Sequence, residues 1–438
     1  MLVILHNRLA GKRRLGVAIV GMGGAVATTA VAGMELIRIG AAGYEGLPLA
    51  NLPAELGQDL VAYEDLVFGG WDLNGDNLAV AAATHRVLPE KQLEAVSSYL
   101  SGMVPWKAVA SRQFCRNIEG KHVVVTGSHR ESVAAIREDL AAFRNEHKLD
   151  GLVVLNLAST EGNGDKGDAQ FQTLEQFEIA LDGNERKISP AMLYAYSAIR
   201  SGAGYVNFTP SLAADLPALI ELARREGVPL CGKDGKTGQT MMKTVLAPAF
   251  RMRALRVDGW YSTNILGNRD GLALDDKDSL ASKLATKGSV LNQMLGYPVD
   301  DHLVDIRYYK PRADNKESWD NIDITGFLGQ PMQIKVNFLC RDSILAAPLA
   351  LESCRLLDLA QRRGESGIQG QLGVFYKQPM SAVGDAPPEN ALHLQQENLL
   401  RWLAGGTAGG TAGGPSADKV ESVAAQRQMA PVESVAGD

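Results

Sequence analysis

The segment at residues 231–244, CGKDGKTGQTMMKT, sets Lys233, Lys236 and Lys243 with Asp234 among glycines and small polar residues, beside an apolar run. The formal charge of the chain is −6, so this gathering of ammonium groups is local. Ammonium groups held in a water-poor site stabilise negative charge on oxygen, and a lysine of lowered pKa can carry protons. A solvated loop has the same composition, and the segment alone does not separate the two.

A second chemical feature lies in LGVAIVGMGGAVATTAVAGMELIRIG. A short apolar strand at 17–20 runs into the glycine turn Gly21-Met22-Gly23-Gly24. A small-residue helix follows to about Ile39, with Gly40 in the stop position. Gly21 permits the sharp turn, and Gly23 lets the backbone approach a pyrophosphate. The amides of Gly24, Ala25 and Val26 are expected to face that anion. The third glycine of GxGxxG is missing, since Val26 and Ala27 stand where it would be, so an ordinary dehydrogenase fingerprint fits poorly. Asp72, after the strand DLVFGG, is a candidate for ribose hydroxyls, although it lies farther from the turn than the usual twenty or so residues. Ala158, Ser159 and Thr160 end the strand GLVVLNLAST, where parallel sheets bind ligands; capping the next segment is the structural alternative. Asp275, Asp276 and Asp278 in DDKD read as a solvated loop rather than a metal site. No nucleophile elbow and no HExxH motif occurs.

These groups need elements to position them. HVVVTGS, GLVVLNLAST and YVNFTPS read as strands, and PAMLYAYSAIRSG and DLPALIELARREG as helices. Strands and helices alternating in this way make an α/β chain with a doubly wound parallel sheet. After Lys243 the texture changes. LRVDGWYSTNILGN, HLVDIRYYK and MQIKVNFLC read as longer strands without regular helices between them, an inserted α+β domain. RDSILAAPLALESCRLLDLAQRRG then reads as a helix that packs back on the first sheet, with Asp342 as N-cap and Gly364 as stop. The resulting division is 1–209 for the nucleotide domain, 210–340 for the inserted domain, 341–404 for a returning helical part, and 405–438 for a Gly/Ala/Ser/Thr-rich tail without a core.

Composition narrows the classes further. The acidic balance argues against a broad nucleic-acid surface, and no apolar run reaches the roughly 18 residues of a membrane span. Cys115, Cys231, Cys340 and Cys354 form no CxxC pair and read as reduced thiols, which fits a cytoplasmic location. The N-terminal order, apolar and then basic, is the reverse of an export signal.

GMGGAVATT, GGWDLNGDNL, LNLASTE, KDGKTGQTMMKTVLAP, NILGNRDG, SKLATKGSV, DNKESWD and RDSILAAPL occur in the order seen in myo-inositol phosphate synthases. The chain resembles that family over residues 16–380, nearest its archaeal and bacterial branch. The resemblance implies a Rossmann-like domain with an inserted catalytic and oligomerisation domain. It implies tightly bound NAD and conversion of glucose 6-phosphate to inositol phosphate. In that reaction carbon five of the open-chain sugar is oxidised, an enolate forms and closes the ring on carbon one, and the hydride is returned.

Carried over by motif, Lys236, Lys243, Lys283, Lys287 and Lys377 are expected to converge on the sugar phosphate. Asp234 and Asp314 match aspartates near the nicotinamide, Asn207 and Thr209 a strand end lining the site, and Asn264 and Asp270 the substrate segment. The resemblance implies a homotetramer and leaves a divalent metal or monovalent cation open, with no ligand set. Two departures stand out: Lys233-Asp234 replaces a frequent acidic pair, and VNFTPS differs from the usual segment. They keep in view a paralogue acting on another sugar phosphate, beside the alternatives of an NAD(P)-dependent dehydrogenase and a non-catalytic nucleotide-binding protein.

Overall fold

Six apolar or small residues in a row, Leu15–Val20, are all buried and form β1 at the heart of a parallel sheet. The computed structural model describes residues 13–115, 119–162, 164–267, 290–381 and 387–405. The other strands are β2 (Leu66–Asp72), β3 (Trp106–Lys107), β4 (Gly151–Asn156), β5 (Gly204–Asn207), β6 (Pro229–Gly232), β7 (Arg256–Leu266), β8 (Asp301–Tyr308), β9 (Asn315–Thr325), β10 (Pro331–Arg341) and β11 (Gly367–Ile368). The helices are α1 (Ala25–Arg38), α2 (Ala54–Gly57), α3 (Leu78–His85), α4 (Glu90–Ser101), α5 (His129–His147), α6 (Leu174–Asp182), α7 (Pro190–Arg200), α8 (Pro217–Arg225), α9 (Gln239–Met252), α10 (Asp342–Arg362) and α11 (Leu392–Leu403).

The first sheet has the order β11-β6-β5-β4-β1-β2-β3, parallel throughout. Residues of β1 alternate between two cores. Leu15, Val17 and Ile19 meet α1 and α10, and Ala18 and Val20 face the side of α5 to α8. Both faces are thus covered, which explains the near-continuous apolar runs of its strands. The sheet continues past residue 209, because α8 and β6 belong to it. HVVVTGS forms only a single-residue bridge, Ala108 with Val123, and Val125 is 94% exposed. An apolar run with no partner strand beside it stays a loop.

The second sheet, β10-β9-β7-β8, is inserted between β6 and β11. Its inner face packs on α9 through Trp260, Ile322, Ile324 and Phe250. Gly364 takes φ +75° just past α10, as expected of a stop. Asp342 is not the N-cap. It is the first helical residue, and the helix start is satisfied from outside by Asp314, whose carboxylate accepts from Ser343 N and, at 2.6 Å, from Ser343 Oγ.

The returning helix is tied to residues 49–63 by a buried charge pair. Glu352 accepts from Leu49 N (3.1 Å), Tyr63 OH (2.5 Å) and Arg355 Nη1 (2.6 Å). The Arg355 guanidinium also stacks on the Tyr63 ring at 3.8 Å and donates to Val61 O. Removing one partner of such a pair leaves a buried charge uncompensated. Glu352→Ala is therefore expected to cost about 3–5 kcal/mol, read as a lowered denaturation midpoint; a midpoint equal to the parent protein's would mean that water reaches Arg355.

Candidate active site

Where the strand order reverses, between β1 and β4, the carboxyl ends of the strands open into a cleft of about 410 Å3. Open α/β sheets bind ligands at such switch points. Gly21 leaves β1 at φ +87°, and its N–H and that of Met22 donate to Trp71 O. Gly23 N donates to Asp72 Oδ2 at 2.8 Å, and a Cβ on Gly23 would meet that carboxylate at 3.1 Å. Gly24 N donates to Gly21 O at 3.0 Å. The amides of Gly23 and Gly24 are thus spent within the turn, against the expectation for Gly24. Ala25, Val26 and Ala27 supply the open donors instead: amides of a first helical turn have no intrahelical acceptor, and all three residues line the cleft. Asp72 lines it too. Its Oδ1 accepts from Asn74 N, so it braces the turn with lone pairs left over for a hydroxyl.

Ala158, Ser159 and Thr160 line another wall. Thr160 Oγ1 is buried there with no partner among the described residues. Thr209 also lines the cleft, but Asn207 sits behind it. Its Oδ1 accepts from Thr209 N and Oγ1 and its Nδ2 donates to Ser211 O, so it shapes the loop. Beside them Glu161 accepts from Ala191 N, and burial pushes its carboxyl up to about 7.

The lysine-rich segment begins at β6 and pairs with residues 375–380. Lys233 N donates to Gln378 O, Lys236 N to Phe375 O and Lys377 N to Asp234 O. Asp234 has φ +59°. This pairing brings Lys377 Nζ to 2.7 Å from Asp234 Oδ1, and both residues line the cleft. Lys233 turns to Asp215 at 3.0 Å, and the resulting pair holds the Asp215 carboxyl below its usual range despite burial. The positive charge introduced by the departure at 233 is thereby matched.

Lys316 was not singled out in the sequence, and it also stands on the cleft wall. Its Nζ lies 3.5 Å from Asp342 Oδ1, which accepts from Thr237 Oγ1 at 2.9 Å. Ser343, His85 and Glu161 are further cleft residues that sequence reasoning passed over, and Asp342, expected there only as an N-cap, lines the cleft as well. The signal for Lys316 was present in DNKESWD, next to the chosen Asp314. Asp314 itself does not line the cleft but caps α10, and burial raises its pKa.

Lys236, Lys243 and Asn264 lie behind the wall. Lys236 Nζ donates to Gln395 Oε1 on α11 at 2.5 Å. Lys243 Nζ meets His302 Nε2 at 2.6 Å and lies 5.5 Å from the Trp260 ring. Asn264 Nδ2 donates to Gln239 Oε1, whose Nε2 donates to Asp320. Asp320 also accepts from Trp260 Nε1 and Ser262 Oγ at 2.7 and 2.6 Å. The helical register explains the placement: residues 239, 240, 243, 244 and 247 make the buried face of α9. Burial pulls Lys236 down to about 7 and Lys243 down to about 8, with Asp320 acting the other way on Lys243. Asp270, Lys283, Lys287 and the DDKD run lie outside the described residues. Among the described residues no group of three or more His, Cys, Asp or Glu side chains could hold a metal ion.

Residues 15–404 match the sequence model of the family described as myo-inositol-1-phosphate synthase. The chain belongs to that family. It is 44% identical over 400 residues to inositol-3-phosphate synthase 1 of Bacteroides thetaiotaomicron, covering 87% of this chain and 93% of the relative. It is 32% identical over 372 residues to inositol-3-phosphate synthase isozyme 1 of Arabidopsis thaliana, covering 79% and 72%. Its fold matches the inositol-3-phosphate synthase of Caenorhabditis elegans with a TM-score of 0.84 at 26% identity, over 90% of this chain and 86% of that one. A myo-inositol-1-phosphate synthase-related protein of Thermotoga maritima matches with a TM-score of 0.72 at 25% identity, over 90% and 99%. The cleft in this family member therefore sits on a nucleotide-binding sheet.

Its buried lysines also leave a mark on stability. With Lys236 near 7 and Lys243 near 8 in the folded chain, against 10.5 in the free side chain, the unfolded state binds more protons between those values. The cost of burying each ammonium is fully present below its folded pKa and is relieved as pH rises towards 10.5. Both groups thus make stability rise with pH in that window. Denaturation of the parent protein and Lys236→Met at about pH 7 and pH 9.5 is expected to show a smaller rise in the variant; equal rises would place this ammonium in water.

Proposed function

We propose how this chain carries out the reaction of its family, the NAD-dependent conversion of glucose 6-phosphate to myo-inositol phosphate. The fit of the cleft to a dinucleotide rests on the glycine turn, the open first-turn amides of α1 and the unpartnered Thr160 Oγ1. Ala25 to Ala27 would hold the pyrophosphate, Asp72 a ribose hydroxyl, and Thr160 an amide or hydroxyl of the same ligand. Bound NAD supplies a hydride acceptor at the start of the reaction and a hydride donor at its end.

The single observation that carries the reading is the pair of ammonium–carboxylate couples on the cleft wall, Lys377 with Asp234 and Lys316 with Asp342. Each carboxylate pairs with its lysine and fixes the position of Nζ on the cleft wall, where the ammonium can face a substrate oxygen. Two fixed positive charges suit a reaction in which oxygen becomes negative at an enolate and again at the closing aldehyde. Asp234 and Asp342, on the same wall, are the carboxylates placed to take up a substrate proton and to return it. Lys236 and Lys243 are assigned to the layer that supports this wall. Asn264 belongs to the same supporting layer, and Lys283, Lys287 and Asp270 are assigned to the sugar phosphate by motif alone. A metal or monovalent cation is not required by any step proposed for the described residues.

Incubation with glucose 6-phosphate and catalytic NAD is expected to yield inositol phosphate without NADH accumulating; stoichiometric NADH would instead indicate a dehydrogenase. Lys377→Met and Lys316→Met are expected to lower turnover by about a hundredfold or more, as loss of a transition-state charge donor does, with NAD binding kept. Near-parental turnover in both would remove these lysines from the chemistry.

The exposed face of the second sheet supports a homotetramer. Tyr261, Leu303, Trp319 and Leu339 project from alternate positions of β7 to β10 on the side away from α9. Exposed apolar side chains on an otherwise polar sheet face suit pairing with a second copy. Cys115, Cys231, Cys340 and Cys354 form no disulfide with one another, which fits a reducing, cytoplasmic setting. No helix among the described residues is long and apolar enough to cross a membrane. Light scattering at micromolar concentration is expected to give a mass near four chains, and Trp319→Asp a smaller one; a monomeric active parent protein would overturn the assembly.

A further inference from the structure

His85 stands on the cleft wall, and none of the steps above uses it. Its Nε2 lies 2.8 Å from Gly23 O. A carbonyl only accepts, so the imidazole donates through Nε2–H. The N–H of the same glycine is already held by Asp72 Oδ2 at 2.8 Å. Both polar groups of Gly23 are therefore gripped by side chains, one from the end of β2 and one from the last turn of α3. The neighbouring amides are spent on Trp71 O and Gly21 O. What the turn can offer a dinucleotide is the direction of the amides that follow, at Ala25 to Ala27. That direction is set by how the peptides just before them are tilted.

The imidazole is itself well anchored. Helix α3 starts at Asn77, whose side chain accepts from Val80 N. It ends at Arg86 in the left-handed region, φ 55°, and Arg86 O accepts from Arg341 Nη2 at 2.8 Å. Arg341 immediately precedes α10, whose Asp342 and Ser343 face the same cleft. The corner at residues 85–86 thus grips the glycine turn on one side and is gripped by the entry to α10 on the other. A turn free to rock would lose that freedom when ligand binds, and the cost would appear in affinity.

We propose that His85 is a positioning residue for the dinucleotide: its hydrogen bond to the Gly23 carbonyl fixes the tilt of the glycine turn and so aims the α1 amides at the pyrophosphate. The proposal rests on NAD being the ligand of this cleft. The test is calorimetric titration of NAD into cofactor-stripped protein, for the parent chain, His85→Ala, His85→Gln and Thr84→Ala. His85→Ala is expected to weaken NAD binding about tenfold, the scale of one neutral hydrogen bond. Turnover of that variant is expected to recover as NAD is raised, with KM for glucose 6-phosphate unmoved. His85→Gln, which keeps an N–H donor, is expected to restore most of the affinity. Thr84→Ala, one residue away and bonded only to its own helix at Val80 O, is expected to bind NAD as the parent does. Parental affinity in His85→Ala overturns the proposal. So does an equal loss in His85→Ala and His85→Gln together with a lowered melting temperature of the stripped protein, which is the mark of a merely structural role. A parent protein that binds no NAD at all would overturn the reading of the cleft itself, a result distinct from either.

Discussion

Two stretches of chain about 140 residues apart, 232–236 and 375–380, exchange backbone hydrogen bonds as a short irregular ladder at the end of β6. One of the two charge couples on the cleft wall depends on that ladder. It sets Lys377 against Asp234, and it holds the start of the lysine-rich segment in place before α9 begins. The whole second sheet lies between its two halves in sequence, since it enters through α9 and leaves through α10. The insertion can therefore be large without loosening the site, because both of its connections are tied down where they leave the first sheet.

The lysines divide by depth. Those on the wall, Lys316 and Lys377, are each matched by a carboxylate and keep some contact with water. Lys236 and Lys243 are among the most buried cations of the chain, and their Nζ atoms end on an amide oxygen and an imidazole instead. An ammonium in low dielectric without an adjacent anion gives up its proton more readily. The wall lysines can act as fixed charge, whereas the deeper pair is the costly part of the assembly, tolerated because polar side chains surround it. Asp320 is the centre of that surrounding, with donors arriving from β7, α9 and its own strand.

The first sheet was legible because its strands are buried on both faces and read as unbroken apolar runs, and because glycine marks the turns that follow them. The family was legible from motif order. The second sheet was harder. β9 went unread as a strand because its inward residues begin with Ser318 and Asp320, so the inside of the sheet looks like a surface until Ile322. Lys316 was passed over for the same reason, as one charge in a polar run. Asn207 and Asp314 stand one layer behind the cleft wall, where they hold the residues that line it. Residues that hold a wall and residues that form it have the same chemistry, and only the third dimension separates them. The fate of Lys236 likewise turned on a contact with Gln395, 159 positions away, which no spacing rule reports.

Asp234 combines two demands that are usually met by different residues. Its backbone is left-handed, at φ +59°, and its side chain must present a carboxylate to Lys377. Glycine and asparagine accept such a backbone readily but carry no charge, while glutamate carries the charge and resists the backbone. Of the two acidic residues, aspartate meets both conditions at the lower cost. The position is therefore constrained by geometry as well as by chemistry. A lineage that changed the reaction at this cleft would have to rebuild the bend of the chain together with the charge.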